Sequence, residues 1–122
     1  MHRGIPLRAL AENRSSRWAA VIAWMTLIFF LSSRSRLPLL SLGWADALQD
    51  VAGHFVAYAV LAGLLAWALS GSGAAHPLWW SFALALLYGL SDEFHQSFVP
   101  GRHPDVLDLL TDAAGAACML LI

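Results

Sequence analysis

Apolar positions along the chain gather in four runs, residues 18–32, 51–69, 77–94 and 106–122, with polar breaks between them. Within each run hydrophobic residues fill most positions rather than one narrow stripe, the pattern of a helix with hydrocarbon on most sides. This predicts an all-α integral membrane protein, a bundle of about four transmembrane helices of roughly 20 residues each.

The first run, WAAVIAWMTLIFFL, is short for a span and resembles a signal-peptide core. No A-x-A pattern follows it, and Ser-Ser-Arg-Ser-Arg comes next, so it reads as an uncleaved span with Arg17 snorkelling at one end. Residues 1–17 form a polar N-terminal segment, and residues 18–122 form the membrane domain. Ser32 to Gln49 read as a loop with amphipathic content (Leu39, Leu40, Leu42, Trp44) suited to the membrane surface. GSGAAHP breaks the chain before the third run, which opens with Trp79 and Trp80 as an aromatic belt does.

Composition strengthens this picture. Hydrophobic residues make up 59% of the 122-residue chain and charged ones 12%, too little polar surface for a soluble domain of this size. The net charge of -1 and seven scattered arginines exclude a nucleic-acid surface. Cys118 is the single cysteine, so one chain builds neither a disulfide nor a Cys-based zinc site, and it reads as plain core. No cofactor motif is present and none is expected. Four arginines precede the first run, two follow it, none lies in the second break and one lies in the third. The positive-inside rule then predicts a multi-pass protein of the bacterial cytoplasmic membrane with its N-terminus in the cytoplasm. The first and third loops share the extracytoplasmic side.

Nearly every unusual residue falls at that side. Asp50, His54 and Tyr58 are spaced i, i+4, i+8 on one stripe of the second helix. The third helix ends Ser91-Asp92-Glu93-Phe94-His95-Gln96, where Asp92 shares a face with His95 or Gln96, and Glu93 with Gln96. Asp105, Asp108 and Asp112 form a stripe at the start of the fourth helix, where the helix dipole favours negative charge. Between them Pro100-Gly101-Arg102 reads as a tight turn projecting a guanidinium. Ionisable groups in membrane segments are costly, so one rim holding this many is a candidate site.

The order D-x3-H-F-x2-Y-x2-L (Asp50, His54, Phe55, Tyr58, Leu61), then E-x-H-Q-x-F-V-P-G-R (Glu93, His95, Gln96, Phe98, Val99, Pro100, Gly101, Arg102), then Asp108, Asp112 and Gly115 closely resembles the VanZ-like family of small bacterial membrane proteins, named for a teicoplanin-resistance protein. The resemblance covers about Ser32 to Gly115. It implies a multi-span inner-membrane protein, linked in some relatives to reduced sensitivity to glycopeptide antibiotics, and it implies no particular reaction. Val51 stands where the family often has lysine, which leaves Asp50 to find another partner such as Arg102. Asp112 stands where relatives often carry Asn.

Two kinds of reading stay open at each position. Asp50 fits an N-cap and His54 an interfacial side chain; Tyr58 fits packing; Glu93, His95 and Gln96 fit a satisfied network closing the third helix. The functional alternative makes Glu93, His95 and His54 the proton-handling, catalytic candidates, with Asp50, Tyr58, Gln96, Arg102, Asp108 and Asp112 binding a ligand. No HExxH or close ligand pair is present, so no metal is assigned. The expected partner is a membrane lipid or lipid-linked cell-wall precursor with an anionic head group, gripped by Arg102. A membrane enzyme acting on a lipid-borne bond, a small proton-coupled transporter and a structural membrane protein are the alternatives. Small residues (Gly53 with Ala57, Ala59 with Gly63, Ala113 to Ala117 around Gly115) predict close helix packing and offer a homodimer face.

Overall fold

The computed structural model describes residues 13–33, 43–101 and 105–122, with residues 43–50 described by their backbone alone. Four helices and no strand occur among the described residues: α1 (Arg14–Ser32), α2 (Gly43–Gly71), α3 (Pro77–Gln96) and α4 (Val106–Leu121).

Local chemistry sets their ends. The Asn13 side chain accepts a hydrogen bond from the Ser15 amide at 3.0 Å, so α1 starts a turn before the apolar run does. Asp105 caps α4 in the same way through the Leu107 amide at 2.9 Å. Pro77 opens α3, where its missing N–H is no loss.

The largest departure from expectation is α2. The loop expected from Ser32 to Gln49 gives way to helix at Gly43. Between Trp44 and Gln49 there is no proline, and Ala, Leu and Gln are strong helix formers. Hydropathy falls off before Val51, but the backbone hydrogen bonds continue, so the apolar run marks less than the helix. Asp50 therefore lies inside α2 and is not its N-cap. Residues 34–42, with Leu39, Leu40 and Leu42, lie outside the described residues.

Helix α2 is the hub. It packs on all three others, most extensively on α4, whereas α1 and α3 touch only briefly. Tyr58, Leu61, Ala62, Leu65 and Ala68 recur at helical spacing and are buried along its length. A Cβ at Gly115 would collide with the Phe55 carbonyl, so glycine there lets the backbones of α2 and α4 meet. Gly63 leaves room for the Met119 side chain, 3.3 Å from where a Cβ would stand. Gly53, by contrast, faces open space, and Cys118 is exposed rather than core. Both lie on outward faces that composition alone does not distinguish from inward ones.

The bundle turns apolar groups out and polar groups in. Phe30, Trp79 and Phe94 are exposed, while Ser81, Gln96, Thr111, Asp92 and Asp112 are buried. Hydrocarbon surroundings favour that inversion. Arg14–Ser32 and Val51–Gly71 are long and apolar enough to cross a membrane, with mean hydropathies of 1.4 and 1.7. Helix α3 carries Asp92 and Glu93 in its last two turns, and α4 has 16 residues, so two of the four expected spans meet that measure among the described residues. The up-and-down order brings the C-termini of α1 and α3, the first half of α2 and the N-terminus of α4 to one end, the acidic end below.

Candidate functional site

Two histidine–carboxylate groups meet at the acidic end. In the first, His54 of α2 faces α4, with its Nδ1 2.7 Å from Asp112 Oδ1 and its Nε2 3.8 Å from Asp108 Oδ2. Both carboxylates come from the aspartate stripe of α4. Their delivery to His54 depends on the close backbone approach at Gly115, one turn below Asp112. Asp112 accepts at Oδ1, so Nδ1 carries the proton and the other nitrogen is left toward Asp108. The ring can hold one proton or two without turning, because each nitrogen faces a carboxylate oxygen. Asp112 is 1% exposed, and its Oδ2 is buried without a hydrogen-bond partner beside Gly89.

The second group joins α3 to α1. Ser33, just past α1, donates its hydroxyl to the Phe29 carbonyl at 2.7 Å. Its one hydrogen is thereby used, so the His95 Nε2 at 3.2 Å must be the donor to Ser33 Oγ. The imidazole is also stacked on Phe29, ring centroids 4.2 Å apart. His95 Nδ1 is left as an acceptor, buried and without a partner, 4.0 Å from Asp92 Oδ1. That gap is too long for a direct hydrogen bond. Two acceptors facing across it accommodate a proton or a donor group such as a hydroxyl or ammonium.

Tyr58 links the two groups. Its ring lies nearly parallel to His54 at 6.4 Å, and its hydroxyl is 3.5 Å from Asp92 Oδ2. The Ser32 hydroxyl also bonds Asp92, and Gln96 is buried one turn further along α3. Glu93 points elsewhere: its Oε2 accepts the Asp105 amide at 3.0 Å, which ties the end of α3 to the start of α4, and its Oε1 is buried without a partner. Asp105 turns to its own helix as a cap and leaves the aspartate stripe to Asp108 and Asp112.

Of the sequence-derived set, His54, Tyr58, His95, Asp108 and Asp112 are thus brought together, Gln96 is buried at the same end, and Glu93 serves the junction of α3 and α4. The Asp50 side chain and all of Arg102 lie outside the described residues. Among the described residues no group of three His, Cys, Asp or Glu side chains has the geometry to hold a metal ion.

Residues 17–122 match the family described as VanZ/LLP1. The chain belongs to the VanZ/LLP1 family. No curated protein and no solved structure matches it. Membership extends over all four helices, so in this VanZ/LLP1 protein the paired His–Asp groups are part of the family domain itself. Together with the two long apolar helices, it makes the chain a membrane protein.

Sequence reasoning placed Asp92 on a face with His95 but left it out of the site, although an aspartate inside an apolar helix is by default a functional candidate. Ser32 and Ser33 carried no signal, being two serines in a Ser-Ser-Arg-Ser-Arg stretch.

Proposed function

We propose that this VanZ/LLP1 protein crosses the bacterial cytoplasmic membrane with all four helices, N-terminus in the cytoplasm, and that its acidic end engages the head group of an anionic envelope lipid or lipid-linked cell-wall precursor. The observation that carries this reading is the His54–Asp112 pair, buried at one end of an otherwise apolar bundle and adjoined by Asp108. A buried imidazole between carboxylates contributes little as packing, and the pair joins α2 to α4, the two helices that pack most extensively. The outward faces of α3 and α4 support their embedding, since Leu78, Trp79, Leu107 and Leu110 are all exposed.

The chemistry of the described residues refines the ligand. Carboxylates accept hydrogen bonds from hydroxyl and ammonium groups, so Asp92, Asp108 and Asp112 suit the donor groups of a head group. Its phosphate falls to the imidazoles and to Arg102 of the Pro100-Gly101-Arg102 turn. The test is retention of lipid-linked cell-wall precursor by purified protein, and teicoplanin sensitivity of cells expressing it. His54→Ala and Asp112→Asn are expected to abolish both effects while inserting normally. Wild-type retention and sensitivity in both variants would end the proposal.

A second reading is favoured by one detail. A histidine oriented by a buried aspartate through Nδ1, with Nε2 facing the Asp108 carboxylate at a non-bonding 3.8 Å, resembles the arrangement of a general base. In that case the protein acts on a lipid-borne bond. Untargeted mass spectrometry of membrane lipids separates the readings: a species whose abundance depends on His54 marks an enzyme, and unchanged lipids with His54-dependent retention mark a binder.

A further inference from the structure

Because α1 and α3 barely touch, a groove of about 800 Å³ opens between them. Ile22 and Met25 form one wall, Leu84 and Leu87 the other, and Leu61 and Leu65 of α2 the floor. The two hydroxyls that reach it are already committed within the protein, Tyr88 to the Met25 carbonyl and Ser91 to the Tyr88 carbonyl. What remains is hydrocarbon surface. Its volume falls within the range of ~300–1,000 Å³ typical of ligand sites.

We infer that this groove holds the hydrocarbon tail of a single lipid whose head group reaches His95. The inference rests on the head-group reading above and names the place of the lipid's other half. Length supports it: from Leu84 to Phe94 the α3 wall rises about 15 Å at ~1.5 Å per residue, half of a hydrocarbon core of ~30 Å and so the depth of one leaflet. The position of its mouth supports it too. Ser91 and Phe94 line the groove at its upper end, and the next residue along α3 is His95, stacked on Phe29 of α1. There His95 Nδ1, buried and unpartnered, faces the Asp92 carboxylate across 4.0 Å. A lipid lying in the groove would bring the donor groups of its head region to that gap, while a helix from a second protein copy would bring apolar side chains to it.

The experiment uses the full chain in phosphatidylethanolamine and phosphatidylglycerol vesicles containing a phosphatidylglycerol with a photoreactive diazirine midway along one acyl chain. Labelled residues are mapped by peptide mass spectrometry. Labelling is expected to be several-fold higher at Met25, Leu84 and Leu87 than at the outward residues Val56 and Leu110. Ile22→Trp, at an exposed groove position, is expected to remove that excess, and Leu110→Trp on the outer face to leave it. His95→Phe keeps a ring against Phe29 but removes both nitrogens, and it should lower groove labelling several-fold. Even labelling of groove and outer face would overturn the inference, as would cross-links to a second copy of the chain at Met25 or Leu87. Groove labelling indifferent to His95→Phe would also overturn it, by separating tail from head group. If labelling is even while His54→Ala still abolishes precursor retention, the groove fails and the head-group reading stands.

Discussion

At one end of the bundle Arg14 and Arg17 of α1 donate to the Gly71 and Trp67 carbonyls in the last turns of α2, at 3.3 and 2.7 Å. Arg17 also lies 4.9 Å over the Trp67 ring, and Trp18 donates to the Ser72 hydroxyl at 2.9 Å. Arg14 meets a carbonyl that the helix C-terminus leaves unsatisfied, Arg17 one a turn earlier, and the dipole there favours positive charge. The acidic end is built differently. Among the described residues, five carboxylates (Asp92, Glu93, Asp105, Asp108, Asp112) gather at this end with two imidazoles, and Glu93 and Asp105 accept from the helix-end amides of Asp105 and Leu107. Of the buried unpartnered polar atoms among the described residues, three belong to this end (Glu93 Oε1, His95 Nδ1, Asp112 Oδ2) and one, Arg17 Nε, to the other. Charge at the arginine end secures helix to helix, whereas much of the charge at the acidic end is more than the architecture requires. That surplus supports the proposed head-group site.

Substitutions at the two ends should separate stability from function. The largest effect on stability is expected from His54→Ala, which leaves Asp112 buried beside an empty place, at a cost of about 3–5 kcal/mol. Adding Asp112→Ala should recover most of that stability without recovering precursor retention, and thermal unfolding in detergent reads the difference. If the double variant also regains retention, the pair is structural and the contrast between the ends disappears.

Next comes Gly115→Ala. The added methyl meets the Phe55 carbonyl and pushes α4 from α2, with an expected loss of about 1–3 kcal/mol. Retention should fall with it, because His54 and Asp112 sit on the helices being parted. Arg17→Ala should cost about 1.5 kcal/mol, the low end for a hydrogen bond to a charged group, and leave retention unchanged. The smallest change is expected from Tyr58→Phe, about 0.5 kcal/mol, since its hydroxyl lies at the long distance of 3.5 Å from Asp92. A greater effect on retention than on stability would make Tyr58 a ligand contact.

Some of this arrangement was legible in the residues and some was not. Helical class and the gathering of polar groups at one end followed from periodicity and from which runs alternate in direction. The start of α2 did not, because Ala-Asp-Ala-Leu-Gln-Asp is polar enough to resemble a loop yet has every propensity to be helix. Spacing put Asp105, Asp108 and Asp112 on one stripe, but Asp105 stands before the first helical residue, and its carboxylate goes to the cap. The partner of His54 was open among several acids until the close approach at Gly115 fixed which helix it meets. Ser33 entered the site only through where α1 ends.

The most direct test of the central claim is native mass spectrometry of the protein released from membranes in mild detergent, comparing wild type, Asp112→Asn and Arg17→Ala. A discrete lipid adduct on wild type and Arg17→Ala that is missing from Asp112→Asn is the result this account predicts. The same adducts on all three proteins would contradict it, and would make the acidic end, like the arginine end, part of the scaffold.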